Sequence, residues 1–148
     1  MSKSFLLTDD DIDDRELFLE ALTSIDPSIT CHFAEDGEAA LQLLGKRDII
    51  KPDIIFVDIN MPVMNGWELL RELRKDETFD GVPVMVYSTS GALRDKLTAR
   101  DLGALCFITK PYDYKLVRKM LEIVIAGLNK NSLHTVCHEI QAALKNAS

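Results

Sequence analysis

A chain of 148 residues is the size of one domain. Apolar residues make up 47% and charged residues 28%, a globular balance that excludes a disordered chain, a collagen-like chain and a disulfide miniprotein. The 17 basic residues against 24 acidic ones leave a net charge of −7, so nucleic acid and anionic membrane surfaces are poor partners.

The first residues, MSKSFLLTDDD, hold an apolar run too short for a signal peptide or a membrane span, so a cytoplasmic location is expected. Ser4 to Thr8 predicts a first strand. Leu17, Phe18, Ala21, Leu22 and Ile25 then recur at helical spacing, predicting a helix over Asp13 to Ile25 with acids in its first turn, where the helix dipole favours them. Ile29 to Phe33 alternates weakly and predicts a polar strand, followed by a helix over Asp36 to Leu44. Asp53 to Val57 is apolar and β-branched, the pattern of a strand buried on both faces. A helix over Gly66 to Lys75 and a strand over Val82 to Tyr87 follow. The next helix, Leu93 to Leu102, is stopped by Gly103, a natural residue just past a helix end. Ala104 to Ile108 predicts a fifth strand, and Tyr112 to Leu128 a long helix.

Five β-α alternations predict an α/β fold: a doubly wound, five-stranded parallel sheet in a three-layer α/β/α arrangement with right-handed crossovers. The polar second strand belongs at an edge, and the third and fourth near the middle. This domain is expected over residues 1–128. Residues 129–148 form an extension in which Leu133, Val136, Cys137, Ile140 and Leu144 share one face of a short helix, either packed back on the body or offered as a docking or dimerisation surface. The three cysteines, Cys31, Cys106 and Cys137, are odd in number and widely spaced, so no disulfide framework is expected. His134, Cys137 and His138 share a helical face but lack a fourth metal ligand. Asn146-Ala-Ser148 matches a glycosylation sequon by chance.

The chemistry sits at the strand ends. In an open parallel sheet, ligands bind outside the carboxyl ends of the strands. Asp9 and Asp10 follow the first strand, Asp58 the third, Ser88 the fourth and Lys110 the fifth. Carboxylates brought this close raise one another's pKa unless a cation intervenes. An oxygen-only set suits Mg²⁺, which keeps open positions for a phosphoryl oxygen. A carboxylate is a competent nucleophile in phosphoryl transfer, and Lys110 and Ser88 would hold the new oxygens. Asp11, Asp13 and Asp14 read as helix-capping and dipole-complementing acids.

The motifs LLTDDD (6–11), VDINMPVMNGWEL (57–69), PVMVYSTSG (83–91) and FITKPYD (107–113) resemble, in order, the receiver domain of two-component response regulators, of the single-domain chemotaxis type. The resemblance implies a flavodoxin-like fold with strand order 2-1-3-4-5. It implies that Asp58 is the phosphoacceptor, that Asp10 binds Mg²⁺ directly and Asp9 largely through water, and that the Asn60 carbonyl completes the metal site. It further implies Ser88 as the switch hydroxyl, Thr89 as a backbone N–H donor to the phosphoryl group, Lys110 as its ammonium partner, Phe107 as the switch aromatic and a cis Lys110–Pro111 bond.

The implied partners are a histidine kinase or a histidine phosphotransfer protein, and a downstream protein of unknown identity. The implied protein is a monomer or homodimer that catalyses only its own phosphorylation and dephosphorylation. With only residues 129–148 following the domain, no output domain is expected. Thr8, Ile12, Ser88 and Phe107 depart from the commoner residues of that family. Two alternatives stay open. One is a haloacid-dehalogenase-type phosphatase, which would want an aspartate where Asn60 stands. The other is a phosphorylation-independent binding module on the same fold.

Overall fold

The computed structural model of the protein describes residues 3–45 and 51–146. Ala147 and Ser148 of the sequon lie outside them. Strands β1 (Ser4–Thr8), β2 (Thr30–Ala34), β3 (Ile54–Val57), β4 (Val84–Ser88) and β5 (Cys106–Thr109) alternate with helices α1 (Ile12–Ile25), α2 (Gly37–Leu44), α3 (Gly66–Lys75), α4 (Leu93–Asp101) and α5 (Tyr114–Asn129), and α6 (Val136–Asn146) follows. Every strand pairing is parallel, in the order β2-β1-β3-β4-β5. The expected doubly wound sheet is therefore present, with polar β2 at one edge and β3 at the centre.

The pleat sends alternate side chains of each strand to opposite faces and so builds two cores from one sheet. Phe5, Leu7, Phe56, Met85 and Tyr87 pack beneath α1 and α5 with Phe18, Met120 and Val124. Leu6, Ile55, Val57, Val84 and Val86 pack on the other face with Leu69, Leu70 and Leu73 of α3.

Local hydrogen bonding sets the element ends, and here the structure trims the expected boundaries. β5 begins at Cys106 rather than Ala104, because the Ala104 amide closes α4 by donating to Ala99 O at 2.9 Å after Gly103 (φ 87°). β4 begins past Pro83, which has no N–H. The Val82 amide donates to Phe79 O in a turn of 3-10 helix over Glu77–Phe79, an element the apolar pattern does not announce. Asp11, Asp36, Asn65 and Asp113 cap α1, α2, α3 and α5, each side chain accepting a backbone N–H of the first turn.

α6 packs back on the body. Val136 and Ile140 are each 1% exposed and belong to the same core as α1 and α5. A Cβ on Gly127 of α5 would stand 2.4 Å from Val136 Cγ2, so the two helices meet where only glycine fits.

The expectation about cysteines is corrected. Cys106 of β5 and Cys137 of α6 form a disulfide across a Cα–Cα distance of 5.5 Å, leaving Cys31 free. Spacing along the chain could not reveal this pair, because the fold brings together residues 31 apart in sequence. The possible ligand face of His134, Cys137 and His138 is thereby resolved as well, since Cys137 is engaged with β5.

Candidate phosphoacceptor site

The carboxyl ends of β1, β3, β4 and β5 deliver one polar cluster. The ladder continues past the strands: Asp9 N–H donates to Ala34 O, Asp58 N–H to Thr8 O and Lys110 N–H to Ser88 O, at 2.9, 2.9 and 2.8 Å. The backbone thus fixes Asp9, Asp58 and Lys110 in register before any side chain is considered. Gly66 completes the frame. Its N–H donates to Ile59 O at 2.9 Å, and a Cβ there would stand 2.2 Å from Asp58 O, so the loop behind Asp58 can close only over glycine.

Asp9, Asp10 and Asp58 each place a carboxylate oxygen within 4.8 Å of the others. Asp9 and Asp58 are buried, while Asp10 stands exposed at the mouth. Lys110 Nζ lies 2.8 Å from Asp9 Oδ2 and 3.1 Å from Asp58 Oδ2, with its side chain only 7% exposed. It also sits 5.6 Å from the centre of the Tyr87 ring. Asp58 Oδ1 accepts the Ile59 N–H at 2.7 Å, and Asp9 Oδ1 the Asp11 N–H at 3.0 Å. Asp9 Oδ2, by contrast, meets the Lys110 ammonium as an ion pair off the hydrogen-bonding direction and has no aligned donor.

Burial pushes the Asp9 carboxyl up to about 6, against the opposing pull of Lys110 and of the Asp11 N–H. Burial works against the charge of Lys110 too. Its hydrogen bond to Asp14, the close carboxylate of Asp9 and the field of Asp58 outweigh that cost and hold the ammonium above the ordinary lysine range.

These observations fit a hard divalent cation: three convergent carboxylates, one carrying a buried oxygen without an aligned donor. Asp9, Asp10 and Asp58 are the residues that could hold it.

The remaining expected residues lie around this cluster. Ser88 is fully buried at the end of β4, its Oγ accepting the Ser90 N–H at 3.3 Å. Thr89 and Asn60 are exposed in the loops that follow β4 and β3. Phe107 is buried on β5 and lines a groove of about 420 Å³ with Lys96 of α4 and Ile140 and Leu144 of α6.

One expectation is overturned. Among the described residues no peptide bond is cis, so Lys110–Pro111 is trans. Trans is the default for an X–Pro bond by about 0.5–1 kcal/mol, and proline in the sequence does not by itself select the rarer form. One functional neighbour was missed. Asp14 of α1 accepts from Lys110 Nζ at 2.8 Å. Its place in the first turn of α1 suggests only a helix-capping or dipole-complementing acid, so no sequence signal pointed to Lys110.

A model of the response regulator receiver domain matches residues 5–122. The chain belongs to the response regulator receiver domain family. A chemotaxis protein CheY homolog of Campylobacter jejuni is 30% identical to this receiver over 120 residues, 81% of this chain and 90% of that protein. The phosphorylated cyanobacterial phytochrome response regulator RcpA superposes with a TM-score of 0.79 at 29% identity, over 85% of this chain and 96% of that one. The Mn²⁺-bound form of response regulator Rcp1 superposes with a TM-score of 0.73 at 27% identity, over 80% and 91%. The receiver spans only about half the length of two further curated relatives, 54% and 46% of them. Among the described residues no helix is long and apolar enough to cross a membrane.

Proposed function

We propose that this receiver accepts a phosphoryl group on Asp58 from a phosphohistidine of a histidine kinase or histidine phosphotransfer protein, in a Mg²⁺-dependent reaction, and signals by protein–protein contact. The observation that carries this reading is the meeting of Asp9, Asp10, Asp58 and Lys110 from three separate strands in one half-closed pocket. A carboxylate oxygen of Asp58 attacks phosphorus, the P–O bond forms, the P–N bond of the donor breaks, and the imidazole leaves with its electron pair and is protonated. Lys110 neutralises the oxygens that gain charge, and Ser88 offers its hydroxyl to them. A bound Mg²⁺ would supply charge neutralisation for the incoming phosphoryl oxygens. Asp9, Asp10, Asp58 and the Asn60 carbonyl are its holders in this reading, and the Thr89 N–H is a further phosphoryl contact.

Ser88 and Phe107 form the two-state element of the proposal, their movement remodelling the surface of α4, β5 and α5. The protein turns over no separate substrate and acts in the cytoplasm as a monomer or homodimer. Residues 1–128 form the switch and 129–148 its extension. Asn60 stands where a phosphatase of the haloacid-dehalogenase type wants a second aspartate, which favours the switch.

Incubation with Mg²⁺ and a small phosphodonor, followed by intact mass, tests the proposal. Wild type gains one phosphoryl unit of about 80 Da and Asp58→Asn gains none. Rapid multiple turnover of a phosphomonoester would point to the phosphatase. No adduct with any donor would point to the binding module.

A further inference from the structure

Lys110 has one more anionic partner than the phosphoacceptor pocket supplies. Asp9 and Asp58 belong to that pocket. The third partner, Asp14, lies on α1, outside the carboxylate group that converges there. Its Oδ2 accepts from Lys110 Nζ at 2.8 Å, an aligned hydrogen bond, whereas the equally short contact to Asp9 is unaligned and the bond to Asp58 is longer, at 3.1 Å. The Asp14 side chain is 35% exposed, against 1% for Asp9 and 10% for Asp58. Solvent can therefore take Asp14 over when Lys110 lets go, which it cannot do for Asp9.

We propose that Asp14 is a positioning residue that competes with the phosphoryl group on Asp58 for the Lys110 ammonium. The inference rests on the phosphoacceptor reading above. In the resting protein the pair holds Lys110 toward the first turn of α1. A phosphoryl group on Asp58 adds negative oxygens beside the same ammonium, drawing it from Asp14 and freeing the start of α1 from its tie to β5. Asp14 thus lowers the affinity of the pocket for a phosphoryl group and makes α1 responsive to its arrival. Its negative charge acts in the same direction, and a matched neighbour separates the two effects. Asp13, exposed one position earlier in the same helical turn, is not among the ion-pair partners of Lys110.

Two measurements on the full chain test this, comparing wild type, Asp14→Asn and Asp13→Asn. The first, on metal-free protein, follows acylation of Lys110 by an amine reagent, read by peptide mass. Asp14→Asn should acylate faster by about 2- to 5-fold, the scale of a partly exposed ion pair, and Asp13→Asn should match wild type. The second is a titration with beryllofluoride, a non-transferable stand-in for the phosphoryl group, in the presence of Mg²⁺. Asp14→Asn should bind it about 2- to 5-fold more tightly, with Asp13→Asn close to wild type and the gain abolished in a Lys110→Ala background.

Unchanged acylation, equal or weaker beryllofluoride binding by Asp14→Asn, the same gain in Asp13→Asn, or persistence of the gain without Lys110 would each overturn the inference. If wild type takes up no beryllofluoride, the phosphoacceptor reading fails and this inference with it. If wild type binds and Asp14→Asn does not differ, only this inference fails.

Discussion

Asp9 is the residue at which the acidic pocket exacts its largest cost. Above about pH 4 the unfolded carboxyl is ionised, while the folded one keeps its proton up to about 6. The native state therefore binds more protons across that window, and stability falls as pH rises through it. Without a divalent cation, ionising Asp9 should cost on the order of 2–3 kcal/mol by pH 8. Urea unfolding in chelator should thus give a higher midpoint at pH 5 than at pH 8, with Asp9→Asn flattening the difference. A midpoint that rises over the same window would contradict the burial argument.

Thr8 presents a second local cost. It is fully buried at the end of β1, and its Oγ1 has no hydrogen-bond partner. Thr8→Val keeps the shape and removes the unsatisfied hydroxyl, so it should stabilise the protein by about 1 kcal/mol in the same assay. A loss of stability would mean that the hydroxyl has a partner.

At the scale of elements, α6 is held in two ways. Val136 and Ile140 bury its apolar face against α5, and the Cys106–Cys137 disulfide ties its first turn to β5. Ile140→Ala should cost about 2–5 kcal/mol through the cavity it leaves. A crosslink spanning 31 residues restricts the unfolded chain, so reductant should lower stability by about 3–4 kcal/mol. Amide exchange in α6 should quicken on reduction, and Cys137→Ser should be insensitive to reductant. Equal exchange in oxidised and reduced protein would show that packing alone seats the helix. Cys137 Sγ also lies 3.0 Å from Leu105 O, an acceptor for the thiol once the pair is open, so α6 has a polar partner just before β5 in the reduced form as well.

Across the whole molecule, two cores share one sheet, so neither can melt without stripping the strands of the other. Trp67 of α3 packs against the core opposite α1 and α5. Its fluorescence and the far-UV circular dichroism should therefore trace one coincident unfolding transition. Separated midpoints would mean that the faces unfold independently.

The parallel sheet could be read because apolar runs and helical periodicity respond to burial, which acts on every residue of an element, while its full strand order rested on the resemblance to the receiver family. The pocket could be read because Asp9, Asp10, Asp58 and Lys110 each end a strand, and parallel strands end at one edge. The Asp14–Lys110 pair and the Cys106–Cys137 disulfide could not, because both join side chains from elements whose approach depends on helix placement. Nor could the trans Lys110–Pro111 bond, since the residue types permit either isomer.

Peptide mapping at acidic pH, after reaction with a small phosphodonor, tests most directly that one carboxylate is the chemical centre. The adduct of about 80 Da should fall on the peptide holding Asp58, vanish when a chelator replaces Mg²⁺, and drop sharply in Lys110→Ala. An adduct on Asp9, Asp10 or a serine, or one indifferent to chelator, would contradict it.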